Sequence, residues 1–273
     1  MDPILSIHDG CFSYGEAQFE LGGVNLEVHS GEMLGIVGPN GSGKSTLLRM
    51  MAGILTPSRG EVRIGGRPVT SFRRRELARE VAFLPQGISA TFEFTVHEVV
   101  AMGRYPYQGP LGLMDQVDDA IVEGALRETD ALHMAERYFS TLSGGEKQRV
   151  LVASILAQQP QIMLLDEPSA ALDIHHASHV FDLLWALSRK GIGVVVVTHD
   201  LNHASQFCDT LALLQAGRLR EVGPPSDVIR EELLIAAYQT PLRVVAHPLT
   251  SLPMVLVLGR KSNEGNETPA QRP

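Results

Sequence analysis

Three short stretches near the start of the chain, residues 4–7, 24–28 and 61–64, carry β-branched residues between glycines and polar positions. Runs of that length bounded by turn residues predict strands, here forming an antiparallel sheet. A second pattern then takes over. Met33–Val37, Val81–Leu84, Ile162–Asp166 and residues 194–198 are short, nearly unbroken apolar runs, the form a strand takes when both its faces are buried. Helical stretches alternate with them: one from Ser45, one over 72–79, one over Ile174–Arg189. This alternation predicts an α/β fold, a parallel sheet wrapped by helices. Between Gly87 and Gln158 the pattern is mostly helical. Helices are predicted over 96–102, 116–129 and 131–137, followed by one through Gln148, Val152 and Leu156. Residues 88–158 therefore read as a helical lobe. Residues 211–214 and 217–222 predict a closing hairpin around Gln215-Ala216-Gly217, and 227–238 a last helix or pair of helices. One domain over 2–238 is followed by an extension, 239–273, whose polar tail from about Lys261 has the composition of a disordered segment.

Composition narrows the class. The 273 residues are 44% hydrophobic and 20% charged, as in an ordinary globular protein. No apolar run reaches the roughly 18 residues of a membrane span, and the longest candidate, 244–258, is broken by His247, Pro248 and Pro253. No basic stretch leads into an apolar one at the N-terminus, so a secretory leader is not expected. Cys11 and Cys208 are too few for a disulfide framework and suit a reducing compartment. The net charge of −8 argues against a general nucleic-acid binder. The basic run Arg73-Arg74-Arg75 reads as a solvated helix face; the other reading is a contact to acidic groups of a membrane subunit or lipid.

The chemistry begins after Met33–Val37. Gly38-Pro39-Asn40-Gly41-Ser42-Gly43-Lys44-Ser45 fits the phosphate-loop pattern without a gap, and Thr46 opens a helical stretch behind it. Glycines let the backbone curl so that successive N–H groups point at phosphate oxygens, and the helix start adds partial positive charge. Lys44 would reach the β- and γ-phosphates, and the Ser45 hydroxyl would ligate Mg²⁺. Downstream, Asp166 ends a predicted buried strand, where an acidic residue would hold the Mg²⁺ shell; Glu167 follows and could deprotonate or orient a water. His199 lies just past the 194–198 strand, within reach of the γ-phosphate and that water. Leu142-Ser143-Gly144-Gly145-Glu146 forms a second glycine turn at a helix start. His175, His176 and His179 cluster on one helix, where a polar face and a metal site are the two readings; Asp115, Asp118 and Asp119 read as a solvated acidic helix start.

Together these motifs, in this order, resemble the nucleotide-binding subunits of ATP-binding-cassette (ABC) transporters over residues 2–238. The resemblance implies a P-loop NTPase (RecA-like) core with an antiparallel β subdomain and an α-helical subdomain. It implies that Leu142–Glu146 is the signature motif contacting ATP held by a partner subunit, and that Gln86 senses Mg²⁺ and water and links the site to a membrane partner through residues near 90–106. It makes Asp173, in Ala170-Ala171-Leu172-Asp173, the D-loop residue at the dimer interface, and Tyr14 the aromatic that stacks on adenine. ATP and Mg²⁺ are the implied cofactors. The implied partners are a second copy of the chain, two copies of a permease and an extracytoplasmic substrate-binding protein, at the cytoplasmic face of a bacterial inner membrane. Gly103-Arg104-Tyr105-Pro106 is similar to importers of iron chelates: ferric siderophores, haem and, more distantly, cobalamin. Zinc, manganese or an exported lipid are other cargoes such a cassette could serve. A soluble cassette of translation or repair would carry two cassettes or a coiled-coil insertion, and a switch GTPase an Asn-Lys-x-Asp motif; neither signal is in the chain.

Overall fold

The computed structural model describes residues 2–15, 19–87, 93–109, 114–170 and 172–259. The chain runs β1 (Leu5–Ser13), β2 (Glu20–Val28), β3 (Met33–Val37), α1 (Lys44–Met51), β4 (Arg59–Ile64), β5 (Arg67–Pro68), α2 (Arg74–Glu80) and β6 (Val81–Leu84). The helical part follows with α3 (Val96–Ala101), α4 (Gln116–Glu128) and α5 (Gly144–Ala157). Then come β7 (Ile162–Asp166), α6 (Ile174–Arg189), β8 (Gly193–Val197), α7 (Leu201–Phe207), β9 (Thr210–Gln215) and β10 (Arg218–Gly223). The C-terminal part adds α8 (Pro225–Val228), α9 (Glu231–Tyr238), β11 (Leu242–Ala246) and β12 (Pro253–Val257).

The central sheet has the order β10-β9-β3-β8-β7-β6, parallel from β9 to β6, with β10 antiparallel at its edge. Strands β3, β7 and β8 are buried at every position. Their side chains still alternate. Met33, Met163, Leu165, Val194 and Val196 pack with α5 and α6, while Leu34, Ile36, Leu164, Val195 and Val197 pack with α1 and the antiparallel sheet β2-β1-β4-β5. Two cores on opposite faces explain why these runs show no polar alternation in sequence. The predicted hairpin 211–222 exists, but β9 also pairs with β3, so it extends the central sheet.

A third apolar cluster, built on Val100, Val122, Leu126, Phe139 and Val150, holds α3, α4 and α5 together. The helix predicted over 131–137 is absent; only a 3₁₀ turn, Leu132–Met134, forms. Asp130, at φ +52°, ends α4, and the Ala131 N–H folds back to the Leu126 carbonyl. The carbonyls of Ala135 and Arg137 then accept the otherwise unpaired N–H groups of His97 and Val96 in the first turn of α3. The segment is irregular because its backbone serves as the partner of a helix end. Residues 88–92, at the start of the stretch near 90–106 expected to face a membrane partner, and the tail expected to be disordered from about Lys261 lie outside the described residues. Among the described residues no helix is long and apolar enough to cross a membrane.

Arg104 of the Gly-Arg-Tyr-Pro phrase is buried. It donates Nε–H to Asp118 Oδ1 (2.8 Å) and Nη1–H to the Ala157 carbonyl (2.7 Å), and Tyr107 lies over its guanidinium. Asp118 is therefore not part of a solvated acidic face; Asp115 supplies the helix cap, accepting from the N–H groups of Val117 and Asp118. Arg73, Arg74 and Arg75 are all exposed, as a solvated face requires, with Arg75 lying over the exposed Tyr105 and donating to the Gln108 carbonyl. Because Arg104→Ala leaves a buried carboxylate without its cation, it is expected to lower unfolding stability by about 3 kcal/mol, measured by urea denaturation; a loss below about 0.5 kcal/mol would show the pair to be dispensable.

Candidate functional site

The glycine loop leaves the end of β3 and curls into the first turn of α1. At Gly38 (φ +149°) a Cβ would lie 2.0 Å from the Leu214 carbonyl oxygen, so only glycine lets the loop pass over the end of β9. Lys44 is buried, and its ammonium donates to the Gly38 (2.8 Å) and Pro39 (3.0 Å) carbonyls. Burial pushes its pKa down, opposed by the charges of Glu167 and Asp166. Ser45 Oγ donates to Asp166 Oδ1 at 3.1 Å, and Asp166 has its pKa pushed up by burial against the pull of that bond. Ser42 Oγ is buried with no hydrogen-bond partner among the described residues. An orphan hydroxyl, a tight loop with no room for a Cβ at Gly38 and a buried ammonium suit a polyphosphate. The Ser45–Asp166 pair, a hydroxyl with a carboxylate, offers the hard oxygens that Mg²⁺ takes.

Glu167 follows at the end of β7 in the left-handed region (φ +51°), its N–H bonded to the Val197 carbonyl. That conformation is costly for a non-glycine residue and concentrates at functional sites. It aims the carboxylate so that Oε2 accepts from Gln86 Nε2 (2.6 Å) while Oε1 meets His199 Nε2. Gln86, Glu167 and His199 follow β6, β7 and β8, at the carboxyl ends of three neighbouring parallel strands. Tyr14 and Phe19 face Asn40, Lys44, Glu167 and His199 across an open cleft of about 490 Å³. Tyr14 is 47% exposed and stands edge-on to Phe12, ring centroids 4.8 Å apart. Thr46 and Gly41 also line this cleft, and Gly43 caps α1. Sequence reasoning passed over Phe19, whose one signal is that it is a second aromatic in the opening strands, close after Tyr14.

The second glycine turn does not line that cleft. Leu142 is buried in the helical cluster, and Ser143 caps α5. The Ser143 N–H donates to Glu146 Oε2 (2.7 Å), and the Glu146 N–H returns to Ser143 Oγ (3.4 Å). These bonds from Ser143, with Arg137 helping, hold the Glu146 pKa down to about 2. A depressed carboxylate contributes stability above its ordinary value and loses it as pH falls toward the folded one. The stability advantage of wild type over Glu146→Gln is therefore expected to shrink between about pH 5 and pH 3, read by thermal unfolding; an advantage that grows on acidification would contradict the cap. Gly144 is exposed, and a Cβ on Gly145 would meet the His176 ring at 2.0 Å. His176 is itself held by Asp173, the cap of α6, whose Oδ1 accepts from the His176 backbone N–H (2.9 Å) and lies 2.8 Å from Nδ1. The structure thus brings the signature residues to Asp173 and sets both apart from Lys44. Ala171 lies outside the described residues. His175 and His179 lie ring to ring (4.2 Å), and no group of three His, Cys, Asp or Glu among the described residues is placed to hold a metal ion.

A glycine cradle between a buried strand and a helix, with Ser45–Asp166 and Glu167 at the neighbouring strand ends, defines a P-loop nucleoside triphosphatase. The ABC transporter family matches residues 21–170. The chain is 44% identical over 244 residues to the hemin import ATP-binding protein HmuV of Thermobifida fusca (strain YX), covering 89% of this chain and 85% of that protein. It also superposes on a metal-chelate type ABC transporter in an inward-facing conformation, with TM-score 0.84, 27% identity, and coverage of 96% of this chain and 100% of that one. A dimeric ATP-binding cassette in a post-hydrolysis state with ADP and phosphate matches with TM-score 0.70 at 29% identity, over 81% of this chain and 98% of that one. The chain belongs to the ABC transporter ATP-binding family and is an ATPase of that type, the subunit of an importer.

Proposed function

We propose that the chain hydrolyses ATP to power import of an iron chelate, haem or a ferric siderophore, through a separate membrane permease. The observation that carries the hydrolytic reading is the Glu167 carboxylate gripped between Gln86 and His199, beside Ser45–Asp166. Tyr14 stacks on the adenine, residues Gly38 to Thr46 wrap the phosphates, and Lys44 neutralises their charge. Ser45, Gln86 and Asp166 would hold Mg²⁺, which would neutralise phosphate charge when bound. Glu167 accepts a proton from water as its oxygen bonds to the γ-phosphorus, His199 and Gln86 fixing the carboxylate, and ADP leaves.

The pocket is completed by a second copy. Ser143, Gly144 and Gly145 of one protomer close on the γ-phosphate held by Lys44 of the other, with Asp173 at the interface. Support comes from their position, away from their own chain's cleft, and from the dimeric cassette to which the chain is similar. Closure pulls the helical parts together and moves two permease subunits on the cytoplasmic face of a bacterial inner membrane; an extracytoplasmic binding protein delivers the cargo. The cargo reading is supported by the similarity to a hemin import protein. It is tested by deletion. Loss of growth on haem or ferric siderophore as sole iron source, restored by the wild-type chain and not by Glu167→Gln, is expected. Unimpaired growth on both, with a defect only for cobalamin, zinc or manganese, would overturn it.

A further inference from the structure

Near the site lies a hydrogen-bonded chain that the scheme above does not use. His203, on the first turn of α7, sits with Nδ1 2.5 Å from Asp200 Oδ2 and Nε2 3.1 Å from Ser178 Oγ on α6. Asp200 is the residue after His199. Its Oδ1 accepts from the backbone N–H groups of Asn202 and His203, and its own N–H donates to Thr198 Oγ1. The Asp200 side chain thus fastens the start of α7 after His199, and its backbone N–H ties the turn to Thr198 before it. The His203 ring lies near-parallel to Phe181 (5.1 Å) and Phe207 (6.1 Å), which themselves pack 5.5 Å apart, so it is held in an aromatic cluster. We propose that His203 is a positioning residue for hydrolysis: through Asp200 it holds the turn that presents His199, and through Ser178 it ties that turn to the helix beginning at Asp173. The proposal rests on the hydrolytic role given to His199 above.

The chemistry fits a fixed link. The Nδ1–H donates to Asp200, which leaves Nε2 to accept a hydrogen bond from the Ser178 hydroxyl in the neutral ring and to donate to the same oxygen in the charged one. Either way the bridge persists. Asp200 raises the His203 pKa, partial burial opposing and Asp182 adding, and the same bond lowers that of Asp200. A cavity of about 240 Å³ beside the bridge is lined by Leu172, Ile174 and Ala177 together with His199, Asp200 and His203. Displacement of the Asp173 end of α6 can therefore reach His199 through Ser178–His203–Asp200, alongside the packing of Phe181 on His203.

The test is steady-state hydrolysis of MgATP by the full chain carrying Ser178→Ala, Ser178→Thr, His203→Ala or Ser178→Ala with His203→Ala. Ser178→Ala puts a good helix former on α6, so it keeps the test open should His203→Ala fold poorly. Each single alanine variant is expected to lower kcat by about tenfold with KM for ATP within about twofold, since the ATP-contacting groups are untouched. Ser178→Thr is expected to retain most of the wild-type kcat, and the double variant to be no worse than the lower single one, because the residues act as one unit. An unchanged kcat in Ser178→Ala, a rise in KM matching the fall in kcat, or additive losses in the double variant would overturn the proposal. Absence of hydrolysis by the wild-type chain would instead remove the reading on which it rests.

Discussion

Glu167→Gln is expected to bind MgATP as tightly as wild type, to accumulate as a nucleotide-bound dimer and to turn over about a thousand times more slowly. The substitution keeps the shape of a side chain that its surroundings hold on both oxygens. The glutamine carbonyl still accepts from Gln86 Nε2, and its amide still reaches His199. What is lost is the ability to take a proton from water, worth a factor of about 10²–10⁴ in general-base catalysis. Affinity is left alone because the phosphates are gripped elsewhere, by Lys44 and the loop backbone. Single-turnover and steady-state rates read the effect; normal turnover in this variant would remove Glu167 from its role.

Lys44→Ala is expected to abolish ATP binding at millimolar nucleotide while the apo protein keeps its fold. Lys44 is 5% exposed and its ammonium is pinned by the Gly38 and Pro39 carbonyls, so the charge is already in place when the phosphates arrive. Truncating one member of a buried charge pair costs about 2–5 kcal/mol or more, a factor of roughly 30 to several thousand in affinity. The two carbonyls lose a donor, but alanine is a good helix former at the start of α1. Calorimetric titration with ATP, alongside thermal unfolding without it, separates lost binding from lost structure. Retained micromolar affinity would show that the loop backbone suffices alone.

Much of this was legible in the chain because its signals are local. Met33–Val37, Val81–Leu84, Ile162–Asp166 and Ile174–Arg189 form where the apolar runs and the Asp173 cap place them. The phosphate loop could be read because its glycines answer to the backbone geometry it makes. What stayed hidden depends on partners distant in sequence. Asp118 reads as one more acidic residue at a helix start until Arg104 is packed against it. Residues 131–137 have helical composition, yet their carbonyls are taken by the first turn of α3. The β11–β12 hairpin was missed because His247, Pro248 and Pro253 break its apolar pattern. It is held by α7, where Asn202 exchanges hydrogen bonds with both the N–H and the carbonyl of Val255, and Ser205 donates to the Pro253 carbonyl. The Ser178–His203–Asp200 chain spans two helices, and no sequence periodicity joins them.

On the proposed mechanism each pocket needs two protomers. The measurement that tests it most directly is the molecular mass of Glu167→Gln in solution, by sedimentation, with and without saturating MgATP. A shift from monomer to dimer with ATP, abolished by adding a bulky residue at Ser143 (Ser143→Arg), is the predicted result. A protein that remains monomeric when saturated with nucleotide, and whose wild-type turnover per chain is independent of protein concentration, would contradict it.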